Sequence, residues 1–266
     1  MAPLIELIHV SESFDNGRTL ALRDVSLSIE TGSFVAMVGP SGSGKTTALK
    51  LVNRLIEPDS GEVRFGGVPV ENFDAPALRR RIGYVFQGIG LFPHMTVGEN
   101  IGITPQLLGW PKPAIAARVD ELLDLVELPR SYAARLPSEL SGGQRQRAGV
   151  ARAMAARPEV MLMDEPFGAL DPVTRDTLGN AYRALHERLR MTTVMVTHDM
   201  QEAVLLADRI VVMSGGRIVA DDTPAALMAA PADAEVAALM EMPRRQAERI
   251  RALIERGGDA RRALHG

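Results

Sequence analysis

Residues 39–46 read Gly39-Pro40-Ser41-Gly42-Ser43-Gly44-Lys45-Thr46. The pattern is a glycine, four residues and then Gly-Lys-Thr, which is the pattern of a phosphate-binding loop. A short apolar run from Ser33 to Val38 predicts a buried strand before the loop, and residues 46–55 predict a helix after it. This context favours nucleotide binding over the alternative, a glycine-rich turn that binds nothing.

The residue types of this loop fit a phosphate chain with its metal ion. Glycines let the backbone come close to phosphates, and a helix start presents unpaired N–H groups to anionic oxygens. We expect Lys45 to reach the β- and γ-phosphates, Thr46 to place its hydroxyl on Mg²⁺ and Thr47 to line the same site. This segment therefore predicts that a nucleotide phosphate chain binds here together with Mg²⁺.

A second motif supplies carboxylates. Four apolar residues, Val160 to Met163, predict a buried strand that ends in Asp164 and Glu165. We expect Asp164 to hold Mg²⁺ and Glu165 to polarise the attacking water. The alternative is an acidic pair that caps a helix, since Pro166 follows. The phosphate-binding loop in the same chain favours the metal and hydrolysis roles.

A third motif, Leu140 followed by Ser141-Gly142-Gly143-Gln144, comes just before a helical run. Serine and two glycines at a helix start suit phosphate oxygens. A simple helix N-cap by Ser141 explains the motif equally well at the local level. If these two anion-binding helix starts lie too far apart to share one nucleotide, they indicate a nucleotide shared between two subunits.

Composition limits the class of protein. The chain has 266 residues, 46% apolar and 24% charged, which predicts one large globular domain or one domain with a small appendage. A net charge of −3 argues against bulk nucleic-acid binding. The absence of cysteine excludes disulfides, thiolate nucleophiles and cysteine-ligated metals. Without a signal peptide or a bilayer-length apolar run, we expect a soluble protein, and any membrane role must come through a partner.

The remaining patterns predict an α/β domain over residues 1–230, with an inserted helical subdomain at about 97–157, and a C-terminal helical tail over 231–266. The tail is expected to fray at Gly257-Gly258. Alternation and turn residues predict further elements. These are strands at 4–10, 25–29, 81–86 and 193–196, a loop at 14–18, a turn at 58–61, hairpins at 62–70 and 210–219, and helices at 173–189 and 224–230.

Over about residues 4–230 the chain resembles the ATP-binding subunit of an ATP-binding cassette (ABC) transporter. Residues 39–46 match the Walker A motif, residues 160–165 the Walker B motif with its catalytic glutamate, and residues 140–144 the family signature. The resemblance implies an α/β P-loop fold with a RecA-like core, an antiparallel β subdomain and an inserted α-helical subdomain.

The resemblance also implies roles for four further segments. Gln87 matches the Q-loop glutamine, which contacts Mg²⁺ and water, and His198 matches the switch histidine at the γ-phosphate. Ala169-Leu170-Asp171 matches the D-loop, and Phe14 stands where an aromatic ring stacks on adenine. Alone, Gln87 is typical of a solvated loop, His198 of a hydrogen-bonding strand end and Phe14 of a core. The order and spacing of the set favour the functional roles.

For partners, the resemblance implies a head-to-tail homodimer in which each phosphate-binding loop faces the signature of the other subunit. It also implies transmembrane permease subunits that contact the helical subdomain and, indirectly, a substrate-binding protein, but no nucleic acid. The subunit is then expected to lie peripherally on the cytoplasmic face of a bacterial inner membrane.

The cargo class is indicated by residues 82–87, 89–94, 107–111 and 165–175, which resemble those of importers for quaternary amines such as glycine betaine, choline or carnitine. Importers of amino acids, polyamines or sulfonates fit the core motifs equally, but residues 89–94 argue against them. A soluble ABC ATPase acting on DNA or ribosomes is disfavoured, because a second cassette or a coiled-coil insertion is expected there.

The tail leaves two alternatives open. Several members of the resembled group carry regulatory CBS domains after the cassette, and residues 231–266 are too few for one, so regulation through such domains is not expected. The tail arginines either touch anionic lipid heads or form a solvated helix face balanced by Glu248 and Glu255, and we favour the second. They are Arg244, Arg245, Arg249, Arg251, Arg256, Arg261 and Arg262.

Overall fold

Two β-sheets organise the chain in the computed structural model, which describes residues 3–14, 17–88, 90–230, 234–241, 244–245, 248–249 and 251. The strands of these segments are β1 (Pro3–Phe14), β2 (Thr19–Glu30), β3 (Phe34–Val38), β4 (Ser60–Phe65), β5 (Val68–Pro69), β6 (Ile82–Val85), β7 (Val160–Asp164), β8 (Thr192–Val196), β9 (Arg209–Ser214) and β10 (Arg217–Asp222).

The first sheet is antiparallel, with strand order β2-β1-β4-β5. Its long strands exceed the predicted ones, because β1 and β2 stay paired to the tip of their hairpin, where Phe14 lies opposite Thr19. The loop predicted for residues 14–18 is therefore wrong at Phe14, which ends a strand, and residues 15–16 lie outside the described part. The predicted hairpin at 62–70 corresponds to β4 and β5.

The second sheet has the order β10-β9-β3-β8-β7-β6 and is parallel except for the β9–β10 hairpin. Every residue of β3, β7 and β8 is buried, as expected for parallel strands covered on both faces. The carboxyl ends of parallel strands meet at one edge of a sheet, where α/β proteins place their ligands. The segments after β3, β6, β7 and β8 therefore share that edge.

Eight α-helices lie between residues 45 and 229 of the described part of the chain: α1 (Lys45–Val52), α2 (Ala75–Arg81), α3 (Val97–Leu107), α4 (Lys112–Leu125), α5 (Gly142–Met154), α6 (Pro172–Leu189), α7 (Met200–Leu206) and α8 (Pro224–Ala229). Helices α3, α4 and α5 pack against one another and form the predicted helical insertion. Helix α1 stops earlier than predicted, since Arg54 takes a positive φ of 50°. Helices α2 and α7 were not predicted from the sequence.

Apolar cores cover both faces of the second sheet. Alternate residues of β3 point to opposite sides, with Phe34 and Ala36 facing the helical layer and Val35 and Met37 facing the antiparallel sheet and α1. The expected α/β architecture, with a RecA-like core, an antiparallel β subdomain and a helical insertion, is confirmed.

The described part of the tail is helical over residues 234–241, and its Val236 and Met240 are buried in the core of the helical layer. Arg245 pairs with Glu241 at 2.9 Å, and Arg244 pairs with Glu248 at 3.3 Å. These pairs support the ion-paired helix face rather than a free basic patch. Gly257, Gly258, Glu255, Arg256, Arg261 and Arg262 lie outside the described residues, so the predictions on them stay predictions.

Among the helices that the structure describes, none is both long enough and apolar enough to cross a bilayer.

Candidate functional site

The loop over residues 39–46 joins β3 to α1, and its glycines are required by close backbone approach. Gly39 has a φ of 141°, and a Cβ there would overlap the carbonyl oxygen of Met213 in β9. Gly44 has a φ of 100°, and a Cβ there would overlap the carbonyl oxygen of Ala21 in β2. Backbone atoms of both sheets therefore lie directly against the loop, and any residue other than glycine at position 39 or 44 would displace its backbone.

Lys45 curls into this loop. Its Nζ donates hydrogen bonds to the carbonyl oxygens of Gly39 and Pro40, both at 2.8 Å, and to Oγ of Ser43 at 3.1 Å. Burial lowers the pKa of Lys45, and the nearby carboxylates of Glu165 and Asp164 oppose this shift. The lysine cation is thus held by uncharged oxygens, and it lies beside the unpaired N–H groups of the first turn of α1. This combination suits an anionic phosphate chain.

Thr46 and Asp164 lie side by side at the end of β7. Thr46 Oγ1 donates to Asp164 Oδ1 at 3.2 Å, and Asp164 is 2% exposed. Burial raises the pKa of Asp164, while the Thr46 hydrogen bond opposes the shift. Hydroxyl and carboxylate oxygens suit Mg²⁺, which also keeps waters and phosphate oxygens as ligands. No cluster of three or more acidic or histidine ligands occurs among the described residues.

Glu165 and His198 meet beside this pair. Glu165 has a φ of 50°, and its N–H donates to the carbonyl oxygen of Val196 in β8 at 2.9 Å. Its Oε1 lies 3.4 Å from Nδ1 of His198. Positive φ is costly for a residue with a side chain and is found where neighbours enforce it, often at active sites. The structure thus brings together the predicted catalytic carboxylate and the predicted switch histidine.

Gln146, which the sequence reasoning missed, secures the segment after Glu165. Its buried side-chain amide donates to the carbonyl oxygens of Pro166 at 2.8 Å and of Glu165 at 3.3 Å. Gln146 lies in α5, the helix capped by Ser141, so this helix is joined directly to the segment that carries Glu165 in the same chain. A single glutamine two residues past a recognised motif carries no pattern that separates it from a solvated residue.

The segment at residues 141–144 forms the start of α5. Ser141 Oγ accepts from the N–H of Gln144 at 3.3 Å, and the N–H of Ser141 donates to Gln144 Oε1 at 2.9 Å. This capping box is the simple N-cap that the sequence left open. A Cβ on Gly142 would meet nothing within 4 Å, so the helix start is open. Among the described residues, no hydrogen bond or ion pair joins residues 141–144 to the loop at 39–46.

In the described part of the chain, no hydrogen bond or ion pair joins Phe14, Gln87 or Asp171 to this cluster. Phe14 is 44% exposed at the end of β1, so it is not a core residue. Gln87 is exposed in the turn after β6. Asp171 caps α6 by accepting from the N–H of Thr174 at 3.0 Å, and this bonding lowers the pKa of Asp171. Ile89, in the segment at 89–94, lies outside the described residues.

Comparison with known proteins identifies the domain. Residues 22–168 match the family model described as ABC transporter. The chain is 50% identical over 230 residues to the choline transport ATP-binding protein OpuBA of Bacillus subtilis, covering 86% of this chain and 60% of that protein. It is 49% identical over 230 residues to the glycine betaine uptake system ATP-binding protein YehX of Escherichia coli, covering 86% and 74%.

A solved structure supports the same assignment. It is the dimeric post-hydrolysis state of the ATP-binding cassette MJ0796 bound to ADP and Pi. The match has a TM-score of 0.77 and 34% identity, and it covers 83% of this chain and 98% of that chain. The chain spans about 60% of the length of the first curated relatives that it matches.

Proposed function

The chain belongs to the ABC transporter family, and we propose that it is the ATP-hydrolysing subunit of an importer for quaternary-amine osmoprotectants such as glycine betaine, choline or carnitine. The observation that carries hydrolysis is the contact of Glu165 with His198 beside the Thr46–Asp164 pair. The cargo class rests on the similarity to OpuBA and YehX, whose names specify choline and glycine betaine.

In this proposal the phosphate-binding loop binds the triphosphate of ATP. Lys45 exchanges its contacts with loop carbonyl oxygens for contacts with phosphate oxygens, which are stronger because both partners are charged. The residues at 39–47 surround the phosphates with N–H groups, and the exposed ring of Phe14 stacks on the adenine. The loop thus keeps the side chain of Lys45 in a buried position, rather than extended into solvent.

Hydrolysis then depends on the residues near the carboxyl ends of the parallel strands, which are Thr46, Gln87, Asp164, Glu165 and His198. Thr46, Asp164 and Gln87 would hold Mg²⁺, which neutralises phosphate charge when bound. Glu165 accepts a hydrogen bond from the attacking water and takes up its proton. His198 holds its ring beside the Glu165 carboxylate, where it orients both the carboxylate and the γ-phosphate end of the site.

The open start of α5 supports a shared site. We propose that residues 141–144 and Asp171 of a second copy complete the nucleotide site of the first in a head-to-tail homodimer. The dimeric form of the similar MJ0796 cassette favours this arrangement. Ser141 already caps its own helix, so the partner nucleotide would meet a preformed helix N-terminus, with Gly142 leaving room for phosphate.

The remaining partners follow from the importer assignment. We propose that the segment after β6, which carries Gln87 and the exposed rings of Phe86 and Phe92, contacts transmembrane permease subunits at the cytoplasmic face of a bacterial inner membrane. A substrate-binding protein outside the membrane would select the solute. We further propose that residues 1–230 form the cassette and 231–266 an appended tail, whose Val236 and Met240 pack onto it.

The test is purification of the full chain from membranes of its own source, with identification of the proteins that accompany it, followed by uptake of labelled glycine betaine, choline and carnitine in a deletion strain. Permeases and a quaternary-amine-binding protein are expected, together with loss of uptake that the intact gene restores. Co-purification with permeases for amino acids, polyamines or sulfonates would overturn the cargo assignment. Co-purification with ribosomes would overturn the transport role.

A further inference from the structure

Arg175, in the first turn of α6, joins two segments that approach the site from different sides. Its Nη2 donates to the carbonyl oxygen of Leu170 at 3.2 Å, in the loop that precedes α6. Its Nη1 donates to Asp199 Oδ2 at 2.9 Å, and its Nε lies 3.5 Å from Glu202 Oε1. Arg175 ends the segment at 165–175 that indicates the cargo class, but neither this arginine nor either carboxylate was predicted as a site residue.

Both carboxylates are tied to the residues that flank His198, because Glu202 holds Thr197 and Asp199 is itself the residue after the histidine. Thr197 Oγ1 donates to Glu202 Oε2 at 2.6 Å, and the N–H of Asp199 donates to Thr197 Oγ1 at 3.0 Å. Thr197 is anchored to the sheet, since its N–H donates to the carbonyl oxygen of Met37 at 3.2 Å. The backbone that carries His198 is therefore fixed by a network that ends on the guanidinium of Arg175.

This network depends on the positive charge. Glu202 is 8% exposed, and both its burial and the nearby carboxylate of Asp199 raise its pKa. Arg175 opposes that shift. Removal of one partner from a half-buried ionic cluster leaves uncompensated charge, which then moves or takes up a proton. Without the guanidinium, Asp199 and Glu202 would separate, and the Thr197–Asp199 turn would shift with them.

A shift of this turn would be felt at the hydrolysis site, because His198 Nδ1 lies 3.4 Å from Glu165 Oε1. We propose that Arg175 is a positioning residue, which sets the ring of His198 against Glu165 and ties that setting to the loop at 169–171. The proposal rests on the proposed ATPase function. It implies that contact between the loop at 169–171 and a second copy of the chain changes the position of His198 in the first copy, through the side chain of Arg175.

The same helix offers a matched control in Arg183. Its Nε lies 2.9 Å from Glu187 Oε1, its Nη2 2.7 Å from Asp208 Oδ1, and its Nη1 donates to the carbonyl oxygen of Leu206 at 2.8 Å. The side chains of Arg175 and Arg183 are 29% and 25% exposed. Both are thus ion-paired arginines of α6 that also bind a carbonyl oxygen, but among the described residues no hydrogen bond or ion pair joins Arg183 to the Thr197–Asp199 turn.

The experiment compares Arg175→Met, Arg175→Lys and Arg183→Met in the full chain by steady-state ATP hydrolysis and thermal unfolding. We expect Arg175→Met to lower kcat by about tenfold or more with KM for ATP within about threefold, since misplacement of a positioned group affects the chemical step. Arg175→Lys should recover part of the loss by keeping the charge. Arg183→Met should keep kcat within about twofold, whatever it does to Tm.

A double-mutant cycle tests the route of the effect. If Arg175 acts through His198, adding Arg175→Met to His198→Ala costs no more than about twofold beyond His198→Ala alone. If the double variant instead loses activity by the product of the two single losses, the proposal is overturned. A kcat for Arg175→Met near that of the wild type would overturn it as well. If Arg175→Met does not fold, Arg175→Lys decides, since a lysine cannot reach all three acceptors, and wild-type kcat in it overturns the proposal. A wild-type chain without ATPase activity would instead contradict the proposed function.

Discussion

Nδ1 of His198 lies 3.4 Å from Oε1 of Glu165, although the two residues follow different strands. The contact exists because β7 and β8 are parallel neighbours, with Asp164 in register with Val196, so that both strands end at the same level. Each side chain enters the site from the first irregular residues after its strand. This edge of the sheet is where the catalytic predictions apply.

Replacement of Glu165 by Gln removes the carboxylate that we propose as the proton acceptor while keeping its shape. ATP binding should persist, hydrolysis should fall by about 10²-fold or more, and the chain should accumulate as an ATP-bound dimer. ATPase assays and size-exclusion chromatography with Mg-ATP measure this. Glu159→Gln, at the opposite end of the same strand, is the control and should keep its activity. A wild-type rate in Glu165→Gln would show that the catalytic assignment is wrong.

Replacement of Lys45 by Ala removes three hydrogen bonds inside the loop and the charge offered to phosphate. Hydrogen bonds to charged groups contribute about 1.5–3 kcal/mol, so the Kd for ATP should rise roughly ten- to hundredfold. Titration with a fluorescent ATP analogue measures the affinity. Lys50→Ala, an exposed lysine of the same helix, should bind ATP nearly as well as the wild type. Equal affinities for both variants would argue against phosphate contact by Lys45.

Replacement of Ser141 by Arg tests the shared site. A bulky cation at the start of α5 should block closure onto a nucleotide held by another copy, so hydrolysis falls. Binding of ATP to the monomer should change little, because no contact joins residues 141–144 to the loop at 39–46 within the described chain. Ser138→Arg, in the exposed 3₁₀ turn just before, should leave hydrolysis intact. Loss of monomer binding in Ser141→Arg would place the motif within its own nucleotide site instead.

His186 makes stability depend on pH. It is 2% exposed, and its Nδ1 lies 3.0 Å from Thr193 Oγ1. Burial, reinforced by Arg183, lowers the pKa of His186, while Asp208 and Glu187 oppose the shift. As pH falls, the unfolded chain therefore takes up a proton at this histidine before the folded chain does. The contribution of neutral His186 to the free energy of unfolding is complete above the unfolded pKa of about 6.5 and is lost as pH falls below it.

The expected slope is at most about 1.4 kcal/mol per pH unit below that point. Urea unfolding of the wild type and of His186→Gln between about pH 5 and 7 measures it. The variant should show a smaller slope, whereas His94→Gln, at an exposed histidine, should match the wild type. Identical slopes for all three proteins would show that His186 does not govern the dependence.

Most elements were predictable wherever one local pattern decides the structure. The apolar runs of β3, β7 and β8 are buried at every position, and the glycines of the loop have the positive φ that their pattern demands. Helices α2 and α7 were not predicted, although the six-residue α8 was, because their seven residues hold barely two turns and show no clear helical period. Their caps, Asp74 and Asp199, are single residues that also fit ordinary turns.

Site residues without a motif could not be predicted. Gln146 reaches the carbonyl oxygen of Pro166, and Arg175 reaches Asp199, across gaps in sequence that only packing closes. Phe14 was placed in a loop because its neighbours are turn residues, and pairing with Thr19 instead extends the strand. In each case a long-range contact outweighs the local pattern.

The sequence by itself determined the phosphate-binding loop, the carboxylates at a strand end and the helix start at Ser141, because glycine conformation, strand burial and capping depend on neighbours in the chain. Only the tertiary structure decided that Thr46 touches Asp164, that Glu165 faces His198 and that Arg175 holds the turn around that histidine. Those relationships follow from the order and register of parallel strands, which bring the ends of distant segments to one edge. Local sequence carries no record of that order, because it is set by the packing of the whole sheet.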